Sequence, residues 1–452
     1  MDEQKVNPSI HRSIHRHKCQ GLKPPNRSNL CTSNFPLRID FFYDIRISML
    51  KGKEIVLGVT GGIAAYKAAE FVRLLVKEEA NVHVVMTQNA QAFITPLTFQ
   101  TLSGNPVITD LFTLIEDNKI GHIALADLAE LIVILPATAN IIGEIANGIA
   151  DDFLSTMVMA SKAPVLFVPS MNVNMWENRA LQKNIQRLIE LGHHFIEPGE
   201  GELACHWYGK GRLAELSEVM EKIEDLLSPK DFKGEKILIT GGPTQEPIDP
   251  VRFITNRSSG KMGYALAKVA RRRGAEVILI TGPTSLPIPR RDIKVFSVRT
   301  AEEMREAVLT HMEGCSVVIK AAAVSDYRPK EISQKKLKKA ESYYSLELEK
   351  TRDILKEIGE KKGDRILVGF AAETEDLMAN ARKKLMEKNL DFIVVNDVTK
   401  PGAGFELDTN QVKILYSSGE VRDLPLISKE EVSQFILNDV VKLLKQKKIN
   451  KI

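Results

Sequence analysis

Glycines and small polar residues follow four apolar runs in the first half of the 452-residue sequence. Gly61 and Gly62 come after the first run, Thr87 after the second, residues 136–140 after the third and residues 169–176 after the fourth. Small residues let the backbone approach a ligand, and free N–H groups at a helix start favour a phosphate. Ligands of open α/β sheets bind outside the carboxyl ends of the strands. We therefore expect these loops to converge on one crevice, which suits a mononucleotide such as FMN better than a dinucleotide.

Two further side chains in this half could move protons. His122 lies at a predicted helix start, where the helix dipole disfavours the imidazolium and leaves a neutral ring that can act as a base. Cys205 lies in the glycine-studded segment 199–212, which is typical of a lid. A thiol on a lid can deliver a proton to a bound intermediate. Taken singly, each residue could instead be structural. His122 could be a packed histidine without a catalytic role, and Cys205 could be a buried, inert cysteine.

The second half carries candidates for binding phosphate and metal. Residues 256–263 read Asn-Arg-Ser-Ser-Gly-Lys-Met-Gly and open a predicted helix, whose N–H groups can bind phosphate. They are not a Walker A loop, because Met262 stands where that loop has Ser or Thr. Asp326 follows a predicted strand, and its carboxylate suits Mg²⁺ or a ribose. The lysines of residues 328–350 favour either a solvated face or a flap over a triphosphate.

These segments lie between short β-branched runs that alternate with helical patterns from residue 54 onward. Near-continuous apolar runs of this kind predict buried parallel strands, and the alternation predicts doubly wound, Rossmann-like α/β domains of three layers. A Pro-, Gly- and charge-rich stretch at residues 226–235 predicts a linker. We therefore expect domains at residues 50–228 and 229–452, the second closed by an amphipathic helix at residues 429–445. The expected strands are residues 55–59, 82–86, 131–135 and 165–168 in the first domain and residues 236–240, 277–280, 317–319, 366–368 and 392–395 in the second.

One short motif occurs in both domains. The triplets Thr60-Gly61-Gly62 and Thr240-Gly241-Gly242 each close a first strand, 180 residues apart. Either the chain contains an internal repeat, or each domain independently needs small residues where its first strand meets a loop.

Charge and cysteine content exclude several classes of protein. The formal net charge of +4 belongs to residues 1–49, which hold eight basic and four acidic residues, so residues 50–452 are formally neutral and give no basic footprint for nucleic acid. Residues 1–49 lack the apolar core of a secretory signal. We expect them to be a disordered extension, or sequence ahead of a natural start near Met49, in preference to a functional arm. Residues 131–143, the longest uncharged apolar stretch, are too short for the roughly 20 residues of a membrane span. Four cysteines in so long a chain favour a reducing compartment, the cytoplasm.

Five motifs stand in order over residues 53–225: Gly-Gly-Ile-Ala-Ala-Tyr-Lys, Gly-His, Pro-Ala-Thr-Ala-Asn, Pro-Ser-Met-Asn-x-x-Met-Trp and Leu-Ala-Cys. Together they resemble the flavin-dependent cysteine decarboxylases, specifically phosphopantothenoylcysteine decarboxylase. The resemblance implies a flavodoxin-like flavoprotein domain in which His122 is the base, Asn172 holds the substrate carboxylate and Cys205 is the late proton donor. The family has Gly where this chain has His206, so a left-handed backbone there would be strained. The implied FMN contacts are Gly61, Gly62, Thr87, Pro136, Ala137, Thr138, Ala139, Asn140 and Ser155.

Five further motifs occupy residues 234–450: Gly-Gly-Pro-Thr-x-Glu-x-Ile-Asp-Pro-Val-Arg, Asn-x-Ser-Ser-Gly-Lys-Met-Gly, Ala-Ala-Val-x-Asp-Tyr, Gly-Phe-Ala-Ala-Glu-Thr and Asn-Asp-Val. Together they resemble the CTP-using phosphopantothenate–cysteine ligases. The resemblance implies that Asn256 steadies an acyl-cytidylate and that Asp326 serves both the nucleotide and Mg²⁺. Where the family has Pro before an Asp-Ile pair, this chain has Arg352. The implied nucleotide contacts are Ala321, Ala322, Asp326, Lys336, Arg352, Asp353, Ile354, Leu355, Phe370, Lys384 and Lys388.

Both resemblances together imply a fused bifunctional enzyme of coenzyme A synthesis, in which the ligase product feeds the decarboxylase. The expected partners are CTP, 4′-phosphopantothenate, L-cysteine and phosphopantothenoylcysteine, and the family implies a homo-oligomer with trimeric flavin domains and dimeric ligase domains. Two other functions remain open. A flavin- or nicotinamide-dependent oxidoreductase would release no carbon dioxide, and a flavin-carrying regulatory subunit would have lost His122 or Cys205.

Overall fold

Two parallel sheets with helices on both faces organise the chain. The computed structural model describes residues 48–112, 114–115, 119–203, 206–288, 292–337, 345–373, 376–397, 404 and 406–449, all in one compact unit. Apart from its last two residues, the extension expected at residues 1–49 lies outside the described residues, and so does Cys205. None of the described helices combines the length and apolarity that crossing a membrane requires.

The first sheet forms the core of the first half. The strands of this half are β1 (Glu54–Val59), β2 (Asn81–Met86), β3 (Leu114–Ile115), β4 (Lys119–Ile120), β5 (Leu131–Ala137), β6 (Val165–Pro169), β7 (His194–Phe195), β8 (Gly199–Glu202) and β9 (Tyr208–Arg212). Five of them pair in parallel in the order β2-β1-β5-β6-β7, while β3-β4 and β8-β9 form separate antiparallel hairpins. Counted along the chain, the sheet has the 2-1-3-4-5 order of flavodoxin-like folds, which confirms the expected architecture.

Helices cover both faces of this sheet. They are α1 (Ala65–Lys77), α2 (Pro96–Ser103), α3 (Gly121–Leu128), α4 (Ala139–Ala146), α5 (Phe153–Ala160), α6 (Val173–Trp176), α7 (Arg179–Glu190) and α8 (Leu216–Leu227), with a 3-10 helix at Gln88–Ala92. Leu57 of β1 shares one core with Phe71 of α1 and Val219 of α8. The neighbouring Val56 shares the core of the opposite face with Leu154 of α5. Alternate residues of a strand point to opposite faces, so a strand covered on both sides is apolar at every position.

The second sheet is larger and mixed. The strands of this half are β10 (Lys236–Gly241), β11 (Gln245–Pro247), β12 (Phe253–Thr255), β13 (Glu276–Thr281), β14 (Lys294–Ser297), β15 (Val317–Lys320), β16 (Tyr327–Pro329), β17 (Leu348–Lys350), β18 (Ile366–Glu373), β19 (Phe392–Asp397), β20 (Thr409–Asn410), β21 (Val412–Tyr416), β22 (Val421–Asp423) and β23 (Ile427–Ser428). Eight pair in the order β14-β13-β10-β15-β18-β19-β21-β22. The first six are parallel and follow the 3-2-1-4-5-6 order of Rossmann folds. The antiparallel pair β21-β22, which the sequence did not reveal, extends the edge.

Helices again form the outer layers. They are α9 (Lys261–Arg272), α10 (Ala301–His311), α11 (Ile354–Glu360), α12 (Leu377–Glu387) and α13 (Lys429–Ile449). Ile239 of β10 belongs to the core under α9 and α13, and Leu238 to the core under α10, α11 and α12. The terminal helix begins where the sequence predicts it and runs four residues further.

Ion pairs join the last helix of the first half to α9. The Arg271 guanidinium lies 2.6 Å from the Asp225 carboxylate, and the buried Arg272 pairs with Glu224. Burial raises the pKa of Glu224, although the Arg272 charge opposes that shift. Breaking one partner of such a buried pair leaves an uncompensated charge. The helix that precedes the expected linker at residues 226–235 is therefore held to α9 by charged pairs.

Candidate active sites

A cleft of about 730 Å³ opens at the carboxyl ends of β1, β5 and β6. It brings together Gly61, Gly62, Thr138, Ala139 and Asn172, five of the residues expected in the flavin and decarboxylation site. Its remaining walls come from α1, from the residues after β6 and from the β8-β9 hairpin. The predicted convergence of the loops is therefore observed for the loops after the first, third and fourth strands of this sheet.

Thr60 ties two of these loops together. Its buried hydroxyl donates to the Pro136 carbonyl (2.7 Å) and accepts the N–H of Thr138 (3.2 Å). Thr138 in turn caps α4, whose N-terminus borders the cleft. Gly61 packs against Asn89 so closely that a Cβ would lie 2.5 Å from the Asn89 Cβ, so only glycine fits there. Thr60 and Asn89, which do not line the cleft, thus fix the positions of residues that do.

Three expected FMN contacts lie behind the cleft wall. Thr87 precedes the 3-10 helix and donates its N–H to the Val59 carbonyl (3.1 Å). Pro136 and Ala137 are buried at the end of β5. In a single chain these residues set the positions of strand ends rather than line the cleft.

Asn140 and Ser155 are engaged in local hydrogen bonds at helix starts. The Asn140 amide donates to Glu144 (2.6 Å), whose pKa burial raises more than this bond lowers it. The Ser155 hydroxyl is buried and donates to the Asp152 carboxylate (2.6 Å) in the capping box of α5. Neither side chain joins Gly61 at the cleft, and the FMN role expected for both stays a prediction.

His122 is the second residue of α3 and lies apart from the cleft lining. Its ring packs edge-on against Phe153, with 6.1 Å between ring centroids. Its Nδ1 is buried and has no hydrogen-bond partner among the described residues. A buried ring nitrogen without a partner is costly, which is consistent with an atom kept for a ligand or a second chain.

The hairpin β8-β9 carries the expected lid. Cys205 itself lies outside the described residues, but Leu203 and Arg212 on either side of it line the cleft. His206 has a φ of 61°, which confirms that the position after the cysteine requires the left-handed backbone that glycine adopts without strain. Gly211 of the same hairpin has no room for a larger residue, because a Cβ there would lie 2.2 Å from the carbonyl oxygen of Met171.

A second cavity, of about 840 Å³, opens at the carboxyl ends of β15, β18 and β19, against the start of α9. Asn256 lines it and donates its amide to the Ala323 carbonyl (3.1 Å). Residues 258–263 form one wall, and Gly260 at the helix start has a φ of 83°. All but one of the expected nucleotide contacts meet there: Ala321, Ala322, Asp326, Arg352, Asp353, Ile354, Leu355, Phe370, Lys384 and Lys388.

Lys336 is the expected nucleotide contact that does not line this cavity. It lies exposed in a loop whose next residue, Leu337, is fixed by two neighbours. The Leu337 N–H donates to Asp249 (3.1 Å), and Arg252 donates to the Leu337 carbonyl (2.7 Å). Burial alone would raise the pKa of Asp249, but hydrogen bonds from Val251, Leu337 and Arg252 hold it at about 2.

The wall formed by α11 and α12 carries charge of both signs. Asp353 caps α11 by accepting the Lys356 N–H (3.1 Å), and its carboxylate lies 2.9 Å from the Lys388 ammonium. Burial opposes ionisation of Asp353, yet the Lys388 and Lys356 hydrogen bonds lower its pKa. Asp326 is the other carboxylate of the cavity and is exposed to it. Among the described residues no three His, Cys, Asp or Glu side chains cluster as a metal site, so Mg²⁺ would need phosphate oxygens beside Asp326.

Two lysines of this cavity were not singled out from the sequence. Lys320 ends the otherwise apolar β15, and that break in an apolar run was the available signal. Lys429 is buried at the start of α13 and donates to the carbonyls of Gly404 (3.2 Å) and Leu407 (2.5 Å). Burial is the main cause that lowers the pKa of each lysine to about 8.

Two family models match the chain, one in each half. The family model described as Flavoprotein matches residues 45–228, and the one described as DNA/pantothenate metabolism flavoprotein C-terminal domain matches residues 232–444. Coenzyme A biosynthesis bifunctional protein CoaBC of Bacillus subtilis is 50% identical over 401 residues, which make up 88% of this chain and 99% of that protein. The protein of the same name from Vibrio cholerae is 43% identical over 392 residues, 86% of this chain and 98% of that protein. A crystal structure of the C-terminal domain of a CoaBC protein is 46% identical and covers 48% of this chain and 99% of its own, with a TM-score of 0.42.

Proposed function

The chain belongs to the family of coenzyme A biosynthesis bifunctional proteins, and we propose that it ligates cysteine to 4′-phosphopantothenate with CTP and then decarboxylates the product to 4′-phosphopantetheine. The family, the α/β fold and the bifunctional enzyme expected from the sequence are confirmed. We assign decarboxylation to residues 50–228 and ligation to residues 229–452, and we place the enzyme in the cytoplasm. The substrates, the residue roles and the oligomeric state below are the parts of the proposal that experiment must test.

Decarboxylation belongs to the first cleft. The small residues at Gly61, Gly62 and Ala139 leave room for a flat ring system, and the N-terminus of α4 at Thr138 favours a phosphate group. FMN, when bound, would accept two electrons from the cysteine moiety before carbon dioxide leaves and return them afterwards, so that substrate and product stay at the same oxidation level. Asn172 holds the substrate carboxylate at the cleft wall.

Proton transfer completes this half of the reaction. The neutral ring of His122 removes a proton from the cysteine moiety, and Cys205 on the hairpin lid returns one to carbon after carbon dioxide has left. His122 does not line the cleft of one chain, and its buried Nδ1 has no partner among the described residues, which supports a homo-oligomer in which a second copy completes the site. We propose trimeric flavin domains and dimeric ligase domains.

Ligation belongs to the second cavity. The carboxylate of 4′-phosphopantothenate attacks the α-phosphorus of CTP, the bond to pyrophosphate breaks, and the cysteine amine then displaces CMP from the acyl carbon. Asn256 holds the acyl-cytidylate, while Lys384 and Lys388 offset the negative charge on the departing pyrophosphate. Asp326 would hold Mg²⁺, which would supply further positive charge for that leaving group. Phe370 and residues 352–355 enclose the nucleoside.

The observation that carries this proposal is the convergence of Asn256 and ten expected nucleotide residues on one cavity, from five separate segments of the chain. The test supplies 4′-phosphopantothenate, cysteine, CTP and Mg²⁺ to the purified protein and identifies the products by mass. We expect pyrophosphate, CMP, carbon dioxide and 4′-phosphopantetheine. A parallel reaction that starts from phosphopantothenoylcysteine without CTP tests the decarboxylase alone. Absence of both pyrophosphate and 4′-phosphopantetheine refutes the proposal, and flavin-dependent redox turnover without carbon dioxide would favour an oxidoreductase.

A further inference from the structure

Lys320 lines the second cavity, and no role has been assigned to this cation. It is the last residue of β15, and its side chain shares a sheet face with Val318, the face covered by α10, α11 and α12. It is half-buried and lines the cavity beside Ala321 and Asp353. A lysine in this position is unusual because half-buried strand ends are normally apolar or paired.

Within the part of the chain that the structure describes, the Lys320 charge has no direct partner. Among the described residues its ammonium group has no hydrogen bond and no ion pair, while Asp353, an acid of the same cavity, is already bound to Lys388 and to the Lys356 N–H. Burial and, to a lesser extent, the Lys388 charge lower the pKa of Lys320 to about 8, and Asp353 and Asp326 only partly oppose this. A half-buried cation beside a second cation destabilises the empty protein, and such an arrangement is typical of a site for an anion.

The anion that this cavity is proposed to receive is a nucleoside triphosphate. Lys384 and Lys388 lie on the same wall, and each is expected to meet phosphate. Resting on the proposed ligase function, we propose that Lys320 is a third phosphate-binding cation, which contacts the polyphosphate of the nucleotide together with Lys384 and Lys388. Its contact is with phosphate oxygens rather than with the base, so its contribution grows with the number of phosphates on the nucleotide.

Three variants of the full-length protein test this role. Lys320→Met removes the charge and keeps the apolar stem, Lys320→Arg keeps the charge, and Lys383→Met is the matched control, an exposed lysine of α12 outside the cavity. Binding of CTP, CDP and CMP is measured by calorimetry. A hydrogen bond to a charged group typically accounts for tenfold or more in affinity. We expect Lys320→Met to weaken CTP binding about tenfold or more, CDP binding less and CMP binding less than threefold. Lys320→Arg should stay within a few-fold of the parent protein, and Lys383→Met should be unchanged.

Thermal unfolding without nucleotide separates binding from a structural role. Removing an uncompensated cation should leave the Tm of the empty protein unchanged or raise it, while CTP stabilises Lys320→Met less than the parent protein. Equal weakening of CTP and CMP, unchanged CTP affinity, or a lower Tm without nucleotide would each overturn the assignment. If the Lys320 assignment fails in one of these ways, the parent protein still releases pyrophosphate from CTP. If the parent protein releases no pyrophosphate from CTP, the ligase function itself is refuted.

Discussion

Replacing Thr60 with Val should loosen the flavin cleft and leave the ligase cavity intact. The buried Thr60 hydroxyl serves two main-chain groups, the Pro136 carbonyl at 2.7 Å and the Thr138 N–H at 3.2 Å. Val has almost the same shape but cannot donate or accept, so both groups lose their partner without a cavity being created. An unpaired buried polar group costs about 1–3 kcal/mol. Because Thr138 borders the cleft, water can partly replace its lost partner. We therefore expect the free energy of unfolding to fall by roughly 2–4 kcal/mol in total.

The assay compares this variant with a matched substitution at an exposed threonine. In a domain of this size 1 kcal/mol lowers Tm by about 2–4 °C, so the unfolding of the flavin domain should shift down by roughly 4–16 °C. Titration of FMN fluorescence should show weaker binding to Thr60→Val. Thr101→Val, which removes one exposed hydroxyl bond on α2, should change stability by less than about 0.5 kcal/mol. Equal melting of the two variants, or loss of ligation in Thr60→Val, refutes the reasoning.

Thr240, the equivalent threonine of the ligase domain, should lose less stability than Thr60 when it is replaced by Val. Thr240 is fully buried, and its hydroxyl accepts one bond, from the Ala322 N–H at 3.1 Å. Thr240→Val should therefore cost about 1–3 kcal/mol, less than Thr60→Val. Because Ala322 lines the nucleotide cavity, the KM for CTP should rise while FMN content stays unchanged. A loss of FMN from Thr240→Val would contradict the separation of the two sites.

Two further outcomes follow from the site residues Cys205 and Asn256, and a third follows from the ion pairs of Glu357 on α11. Cys205→Ser should stall on an oxidised, decarboxylated species detectable by mass while CTP-dependent pyrophosphate release continues; loss of both activities would contradict it. Asn256→Asp should stop ligation and spare decarboxylation of added phosphopantothenoylcysteine, which separate product analyses can show. Hydrogen bonds from Arg305 and Lys361 lower the pKa of Glu357 to about 2 against a usual 4.5, so its contribution to stability is complete above pH 4.5 and is lost as the pH falls towards 2. The Tm difference between the parent protein and Glu357→Gln should therefore be smaller at pH 3 than at pH 7, and a constant difference would contradict this assignment.

The sequence revealed which segments carry chemistry better than it revealed which side chains face a ligand. Strand and loop positions follow from apolar runs and glycines, because those are local properties, and the cavity around Asn256 formed where the ends of the parallel strands predict it. Ser155 shows the limit: a serine three residues after Asp152 is also the pattern of a capping box, and the structure uses it that way. Which of two such uses a residue serves depends on what packs against it.

Lys320 and Lys336 are two further cases in which the sequence did not reveal which side chains line the cavity. Lys336 belongs to a lysine-rich run that suggested phosphate binding, but its neighbour Leu337 is clamped by Asp249 and Arg252, and the Lys336 side chain is exposed outside the cavity. Lys320 is a single lysine at the end of an apolar strand, and it faces the cavity because the strand before it fixes its direction. The phosphate role expected for Lys336 stays a prediction, and the position of Lys320 follows from the sheet face on which the strand places it.

The two Thr-Gly-Gly motifs are better explained by topology than by a repeat of whole domains. The first sheet has the order 2-1-3-4-5 and the second 3-2-1-4-5-6-7-8, so the two sheets are wound differently. In both sheets, however, the strand order reverses direction at the first strand. The reversal lies between β1 and β5 in the first sheet and between β10 and β15 in the second. Loops diverge to opposite faces at this point and leave a crevice for a ligand. Thr60 and Thr240 each accept an N–H from across that crevice floor, from Thr138 and Ala322, so each domain independently uses one buried hydroxyl to hold the two halves of its binding site together.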